Sequence, residues 1–179
     1  MFKKVFIAVF ILSVSIISNY SQLKEGDNLL GPSLGFWTTP NVPTFGLNYE
    51  AQLTQLGDVA TLSLGGVFRY TSFRTTYSPS DYSSDNYITL GAQSNLNFNQ
   101  IGDGKFVPFV GLVLGYNSIN NSYVSPSGRV YTSGYTSGLW AWGQAGMRYF
   151  FSPRVAGALR IGAGNFNFNV VELGLDFKL

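Results

Sequence analysis

The sequence contains no cysteine and no histidine, and these two absences limit the chemistry that it can perform. Without cysteine the chain forms no disulfide and has no thiolate nucleophile. Without histidine it has no side chain that ordinarily titrates near neutral pH, so Ser-His-Asp and Cys-His systems and most metal-ligand sets are excluded. We therefore expect no cofactor, no metal site and no enzymatic activity.

Charge and long apolar runs are also scarce. Only 11% of the 179 residues are charged, whereas about a quarter are charged in an ordinary soluble domain. The net charge of +2 is too small to suggest nucleic acid as a partner. After the first 17 residues no apolar run is long enough for a membrane-spanning helix.

The amino terminus resembles an export signal. Lys3 and Lys4 precede an apolar run that continues to Ile17, and a cationic head followed by a short apolar stretch is typical of a secretory signal peptide. We expect a signal over residues 1–21, cleaved at about 18–21, and a mature domain over 22–179. A single membrane anchor is the alternative interpretation, which the short length of the run disfavours.

The rest of the chain alternates apolar and polar side chains with a period of two, which is the pattern of β-strands. The pattern is clearest at the carboxyl end, where the apolar positions of one face are Val171, Leu173, Leu175, Phe177 and Leu179. A soluble domain rarely ends on such a strand because termini fray. A barrel in a membrane has to close on its last strand, since an unpaired edge in hydrocarbon is very costly.

Turn signals divide the mature chain into eight such segments, at about 29–38, 45–53, 60–70, 88–98, 110–117, 139–149, 158–162 and 171–179. Several have close to the ~10 residues that a tilted membrane-spanning strand needs. The fold class predicted is therefore all-β, an eight-stranded antiparallel up-and-down transmembrane β-barrel. The pattern leaves the face of Trp140 and Trp142 open, because a bulge in that segment would move both rings to the membrane interface.

The connections alternate in length. Those around Gly57, Gly102 and Pro153 are short, whereas 74–85 and 119–134 are long and polar. Outer-membrane barrels have short periplasmic turns and longer outside loops. We therefore expect both chain ends on the periplasmic side and the two long segments to be exterior loops.

Three stretches resemble the small outer-membrane β-barrel proteins of OmpA/OmpX type, the porin-like outer-membrane β-barrel domain family. They are residues 106–112 (FVPFVGL), 143–150 (GQAGMRYF) and 171–177 (VELGLDF). The resemblance covers about residues 25–179 and implies a place in the outer membrane of a Gram-negative-type bacterium. It also implies that the last strand is the signal read by the barrel-assembly machinery, although the chain ends Phe177-Lys178-Leu179 instead of in a terminal aromatic.

The predicted inward faces carry six charged residues and six amides, which are Glu50, Arg69, Arg148, Arg160, Glu172 and Asp176, with Asn48, Gln52, Gln93, Asn95, Asn97 and Gln144. Seven of them are the candidates for a polar network in the lumen: Glu50, Arg69, Gln93, Gln144, Arg148, Arg160 and Glu172. Side chains just fill the interior of an eight-stranded barrel, and buried charges have to be paired. We therefore expect a lumen plugged by salt bridges and amide hydrogen bonds, with a narrow passive pore as the alternative. The spacing of Arg160 and Glu172 about Phe166 places the two directly opposite each other.

The function expected is a structural or surface-interaction role in the envelope, carried by the exterior loops. Candidate contact residues in those loops are Tyr77, Tyr82, Tyr123, Arg129 and Tyr131, because tyrosine offers contact area at low entropic cost. The partners expected are outer-membrane lipid, the assembly machinery and a surface ligand whose chemistry stays open. A secreted soluble barrel that binds a small apolar ligand is the alternative, but it would need more surface Lys and Glu.

Overall fold

Strands account for almost all of the described chain. The computed structural model describes residues 23–36, 42–78, 81–99, 105–125, 127–133, 137–164 and 170–179. The strands are β1 (Asn28–Phe36), β2 (Pro43–Leu56), β3 (Ala60–Ser78), β4 (Asp81–Phe98), β5 (Phe106–Val124), β6 (Val130–Ser133), β7 (Gly138–Ser152), β8 (Val155–Gly164) and β9 (Val170–Lys178). Among these residues there is no helix long and apolar enough to cross a bilayer.

Eight of the strands form a closed antiparallel barrel in the order β1-β2-β3-β4-β5-β7-β8-β9. The barrel closes through β1 and β9, where Leu30 pairs with Phe177 and Leu34 with Leu173. The remaining strand, β6, is short and pairs with the carboxyl-terminal end of β5. This architecture confirms the predicted eight-stranded up-and-down barrel, and the alternating carboxyl-terminal segment is the strand that closes it.

The two faces of the wall differ sharply in polarity. Large apolar side chains point outward, and Leu139 (83% exposed), Leu90 and Leu112 are among the most exposed. Most inward positions carry polar, charged or small residues. Trp140 and Trp142 also point inward and are buried, and the β5–β7 register is continuous across them. No bulge therefore moves these two rings to the outer surface.

The two ends of the barrel are built differently. At one end, which we call the terminal end, β1 begins and β9 finishes, and Leu29 pairs with Lys178. The β2–β3 turn there uses Gly57 at a φ of 60°, a left-handed conformation that glycine adopts without steric cost. The predicted signal peptide and the predicted turns at Gly102 and Asn165 lie outside the described residues.

At the opposite end the prediction of two long irregular loops is wrong. Residues 74–85 are mostly strand, since β3 continues to Ser78 and β4 begins at Asp81. In the same way, β5 continues to Val124 and β6 returns beside it from Val130 to Ser133. The period-two signal is lost in these stretches because both faces carry polar side chains. Backbone pairing continues there although no apolar face marks it.

Candidate functional site

A dense network of charged and polar side chains fills the middle of the barrel, and Arg148 lies at its centre. The side chain of Arg148 is 0% exposed. Its guanidinium donates from Nε to Asp176 Oδ2 (2.6 Å), from Nη1 to Asn97 Oδ1 (2.5 Å) and from Nη2 to Glu50 Oε1. The guanidinium carbon lies 4.3 Å from the ring centroid of Phe109. One arginine of β7 thus joins partners from β2, β4, β5 and β9.

A second group of polar contacts surrounds Glu172, which lies farther from the terminal end than Glu50 does. Arg69 donates to both carboxylate oxygens, from Nε to Oε1 and from Nη2 to Oε2 (2.9 Å). The same guanidinium reaches Asn48 Oδ1 (2.7 Å), and Ser33 Oγ donates to Glu172 Oε2 (3.2 Å). The guanidinium also lies 5.9 Å from the ring of Trp142. These contacts connect β3 with β9 across the interior.

The third arginine, Arg160, forms its ion pair with a residue other than the one opposite it on the neighbouring strand. Arg160 is paired with Glu172 in the β8–β9 register, as predicted from their spacing about Phe166. Its ion pair, however, is made by Nη2 with Asp176 (2.5 Å), while Glu172 binds Arg69. The arginine side chain is long enough to reach four residues along the neighbouring strand. Opposite positions therefore did not identify the ion pair.

Amide side chains form a further hydrogen-bonded group in the lumen. Gln144 Nε2 donates to Gln93 Oε1 (3.0 Å) and to Asn95 Oδ1 (2.6 Å). Gln93 Nε2 in turn donates to the carbonyl oxygen of Tyr49 (3.0 Å). All seven lumen residues named from the sequence are buried and inward-facing: Glu50, Arg69, Gln93, Gln144, Arg148, Arg160 and Glu172. The three arginines face three carboxylates, those of Glu50, Glu172 and Asp176, so their formal charges cancel.

Two apolar layers enclose this network. Toward the terminal end, Leu23 packs with Leu29, Val107, Phe150 and Ala156. Its backbone carbonyl accepts hydrogen bonds from Thr61 Oγ1 (3.0 Å) and Asn99 Nδ2 (2.8 Å). The segment that precedes β1 therefore lies across the terminal mouth of the barrel.

The other apolar layer contains the two inward tryptophans. Trp140 and Trp142 pack with Val67 and Val113, and their ring centroids are 4.1 Å apart. The sequence alternation did not predict either apolar layer. It did place Asp176, which two of the arginines share, on the inward face of the last strand.

Beyond the tryptophan layer, four strands rise above the rest of the barrel and form what we call the protruding sheet. It consists of residues 72–78 of β3, 81–87 of β4, 118–124 of β5 and all of β6. The β2–β3 pairing begins at Phe45 and Tyr70, and the β5–β7 pairing ends at Asn117 and Gly138. Seven residues of strand correspond to about 23 Å of length.

Four of the five candidate loop residues lie on strands of this sheet, on two different faces. Tyr123 and Tyr131 are cross-strand partners on the face that continues the lumen wall, with ring centroids 6.3 Å apart. Tyr77 lies at the register shift between Thr76 and Ser78, where a β-bulge interrupts the pairing of β3 with β4. Tyr82 lies on the other face, where it packs against the Arg74 guanidinium, 3.4 Å from its ring centroid. The fifth candidate, Arg129, is exposed in the β5–β6 turn.

Tyr123 lies near Asp81, Tyr77 and Tyr131, and we call these four residues the tyrosine cluster. The hydrogen bond from the Tyr123 hydroxyl to Asp81 raises the pKa of Tyr123, and partial burial, the Asp81 charge and the hydroxyls of Tyr77 and Tyr131 raise it further. The Oδ1 atom of Asp81 is shielded from solvent and has no hydrogen-bond partner among the described residues. No group of three or more potential metal ligands occurs within the described part of the chain.

Comparison with known proteins identifies the fold. No family model and no curated protein sequence matches the chain. Solved structures do match: Ail, the attachment invasion locus protein of Yersinia pestis, is 16% identical with a TM-score of 0.57 over 87% of this chain and 99% of its own. The N-terminal β-barrel domain of Pseudomonas aeruginosa OprF is 16% identical with a TM-score of 0.52 over 88% and 100%.

A de novo designed transmembrane β-barrel also matches, at 15% identity with a TM-score of 0.54 over 89% of this chain and 100% of the design. The chain therefore has the fold of the small outer-membrane β-barrels.

The comparison also corrects one expectation, that the chain is not an enzyme. A solved structure of the same architecture is the outer membrane enzyme PagL, 13% identical with a TM-score of 0.49. Barrels of this size thus include an enzyme, and the exclusion that was based on missing histidine and cysteine is withdrawn. At this level of similarity the match assigns no activity to the present chain.

Proposed function

We propose that the protein is an outer-membrane barrel of OmpA/OmpX type that conducts no solutes and that contacts molecules at the cell surface through its protruding sheet. The observation that carries this proposal is the contrast between the two halves of the molecule. The lumen is occupied by a charge-balanced network between two apolar layers. The strands β3 to β6, in contrast, extend well past the tryptophan layer and carry exposed tyrosines.

The outer surface of the wall supports a membrane location. Exposed leucines and phenylalanines such as Leu139, Leu112 and Phe45 surround it, and in water such a surface would drive aggregation. The alternative of a soluble barrel that holds an apolar ligand requires the reverse arrangement, with Leu and Phe inside. The inward positions carry Arg148, Glu50 and their partners instead.

The same proposal covers the partners. Outer-membrane lipid would contact the apolar wall, and the assembly machinery would read β9 as the last strand. A precedent for a bound ligand comes from Ail of Yersinia pestis, which has been solved in complex with the heparin analogue sucrose octasulfate. That ligand belongs to Ail, and we carry over only the idea that a barrel of this fold can bind a ligand.

Two measurements test the proposal, one on cell fractions and one on the purified protein. We expect the outer-membrane fraction to yield a band whose gel mobility changes on boiling, because a closed barrel resists detergent until it is heated. We also expect planar bilayers that contain the protein to show no single-channel conductance at neutral pH. A protein that stays in the soluble fraction without a mobility shift would contradict the membrane location, and steady channel openings would favour the passive pore.

A further inference from the structure

The five residues that precede β1 lie across the terminal mouth of the barrel, and we call residues 23–27 the strap. Leu23 is 0% exposed, whereas Lys24, Glu25 and Gly26 are exposed. The strap therefore places one apolar side chain inside the mouth and leaves most of its length accessible to solvent.

A turn at Gly26 directs the strap from the wall into the mouth. Gly26 has a φ of 87°, a left-handed conformation that other residues adopt only at a cost. Its amide donates to the carbonyl oxygen of Gln52 (2.9 Å), and the Gln52 amide donates to the carbonyl oxygen of Asp27 (2.8 Å). Beyond its chain neighbours, no heavy atom lies within 4 Å of the position that a Cβ at Gly26 would occupy. A substitution there would strain the turn without a clash.

The anchor of the strap connects six of the eight barrel strands. The apolar layer around Leu23 contains residues of β1, β5, β7 and β8, which are Leu29, Val107, Phe150 and Ala156. The carbonyl oxygen of Leu23 accepts hydrogen bonds from Thr61 of β3 and from Asn99, which directly follows β4. One residue thus contacts side chains from most of the barrel circumference.

Polar contacts extend the connection to the remaining two strands. Asp27 forms an ion pair with Lys178 of β9 (2.6 Å), and the backbone of the strap pairs with Gln52 of β2. Each of the eight strands therefore contributes a contact, either itself or, for β4, through the residue that follows it. Since these partners lie together only in a closed barrel, the strap docks on a complete barrel.

The balance of contacts indicates that the strap opens more readily than the barrel. Ordering five residues costs conformational entropy, and within the strap only Leu23 is buried. The barrel strands are held by long ladders of backbone pairing, such as the ladder between β4 and β5. A segment with few buried apolar contacts opens locally at a lower free energy than the structure around it.

We propose that the strap is a lid that seals the terminal mouth against water and that opens without unfolding the barrel. This inference rests on the proposed function, because it identifies the element that closes one end of a non-conducting lumen. When the strap opens, Leu23 leaves its layer and the inward side chain of Ala156 meets water. The arginine network beyond that layer stays in place, so an open strap wets the terminal part of the lumen without forming a pore.

The test introduces one thiol at a time into the full mature protein, whose sequence has no cysteine. Ala156→Cys reports on the terminal mouth, and Val113→Cys, in the tryptophan layer, reports on the far side of the network. Each protein in lipid nanodiscs is treated with a trimethylammonium methanethiosulfonate, a charged reagent that does not cross lipid. Labelling is followed by mass spectrometry.

We expect the thiol at position 156 to be labelled slowly while the strap is intact. Leu23→Ala removes the anchor and should raise the labelling rate about tenfold or more. Gly26→Val strains the turn without touching the apolar layer and should also raise the rate. The matched control Leu56→Ala, an exposed leucine at the same end, should leave the rate within about twofold. The thiol at position 113 should stay unlabelled in all these proteins.

Three outcomes would overturn the inference. Equal rates at position 156 in Leu23→Ala and Leu56→Ala would show that the strap does not seal the mouth. A parallel rise at position 113 would show that the whole barrel opens with the strap, as would loss of the boiling-dependent gel shift in both strap variants. Any of these can occur while the unmodified protein keeps its gel shift and conducts nothing, whereas channel openings or a missing shift in the unmodified protein would contradict the proposed function itself.

Discussion

Replacing Arg148 with methionine tests whether the lumen network stabilises the barrel. Arg148 is fully buried and is the arginine that Glu50 contacts. Methionine keeps much of the side-chain volume and its packing against Phe109 but removes the charge. After the substitution Asp176 keeps Arg160 as a partner. Glu50 keeps only the hydrogen bond from the Ser63 hydroxyl (3.0 Å) among its described contacts.

The expected loss of stability follows from the carboxylate that stays behind. Removing one partner of a buried ion pair costs about 3–5 kcal/mol, because the other charge is left in a poorly solvated interior. Since Asp176 is still neutralised, we take a value near the middle, about 4 kcal/mol, for Glu50 alone. With a urea dependence of about 2 kcal/mol per molar, the unfolding midpoint should fall by about 2 M.

The measurement is urea unfolding in lipid vesicles, followed by the fluorescence of the lumen tryptophans. The control is Arg154→Met, the same substitution in the exposed turn between β7 and β8, which should change stability by less than about 0.5 kcal/mol. Adding Glu50→Gln to Arg148→Met should restore part of the loss, because the unpaired charge is then gone. Equal midpoints for Arg148→Met and Arg154→Met would refute the network as a source of stability.

Three further predictions concern other parts of the molecule. Arg160→Ala should lower the unfolding midpoint more than Lys105→Ala at the barrel rim, but less than Arg148→Met does, because Asp176 keeps Arg148; equal midpoints for the two alanine variants would contradict this order. Replacing residues 76–82 with an Asn-Gly turn should leave the boiling-dependent gel shift intact, whereas loss of the shift would mean that the protruding sheet is needed for the barrel to fold. Asp81→Asn should lower the pKa of Tyr123, because the carboxylate disfavours the phenolate. A ¹³C-tyrosine NMR titration that shows no change in this pKa would mean that the two side chains are not in contact.

Much of the barrel could be predicted because its wall separates two environments. An apolar outer surface and a polar interior impose a period of two, and that period locates the strands and assigns Arg69, Arg148 and Glu172 to the interior. The same reasoning left the face of Trp140 and Trp142 open, since aromatic rings suit either a membrane interface or an apolar layer in the lumen.

The protruding sheet could not be predicted in the same way. Around Thr75 and Ser122 both faces of the strands are polar, so no apolar alternation remains. Backbone pairing and side-chain contacts such as Asn121 with Asp85 hold the strands together there. The ion pairs were also beyond the pattern, because the reach of an arginine side chain separates the partner from the opposite position, as with Arg160 and Asp176. Leu23 lies before the first strand, and no periodic signal places it in the terminal mouth.

The distribution of charge among the strands has a consequence for the order in which the molecule can be completed. The arginines lie on β3, β7 and β8, but two of their three carboxylates, Glu172 and Asp176, lie on β9, which follows the other barrel strands in chain order. The strand that seals the backbone seam with β1 is thus also the one that neutralises the interior. A chain truncated before residue 170 would carry an open edge and an excess of positive charge at the same time. Pairing of β9 therefore closes the backbone of the barrel and neutralises its interior in the same step. A barrel without β9 is destabilised both by its open edge and by its unpaired arginines.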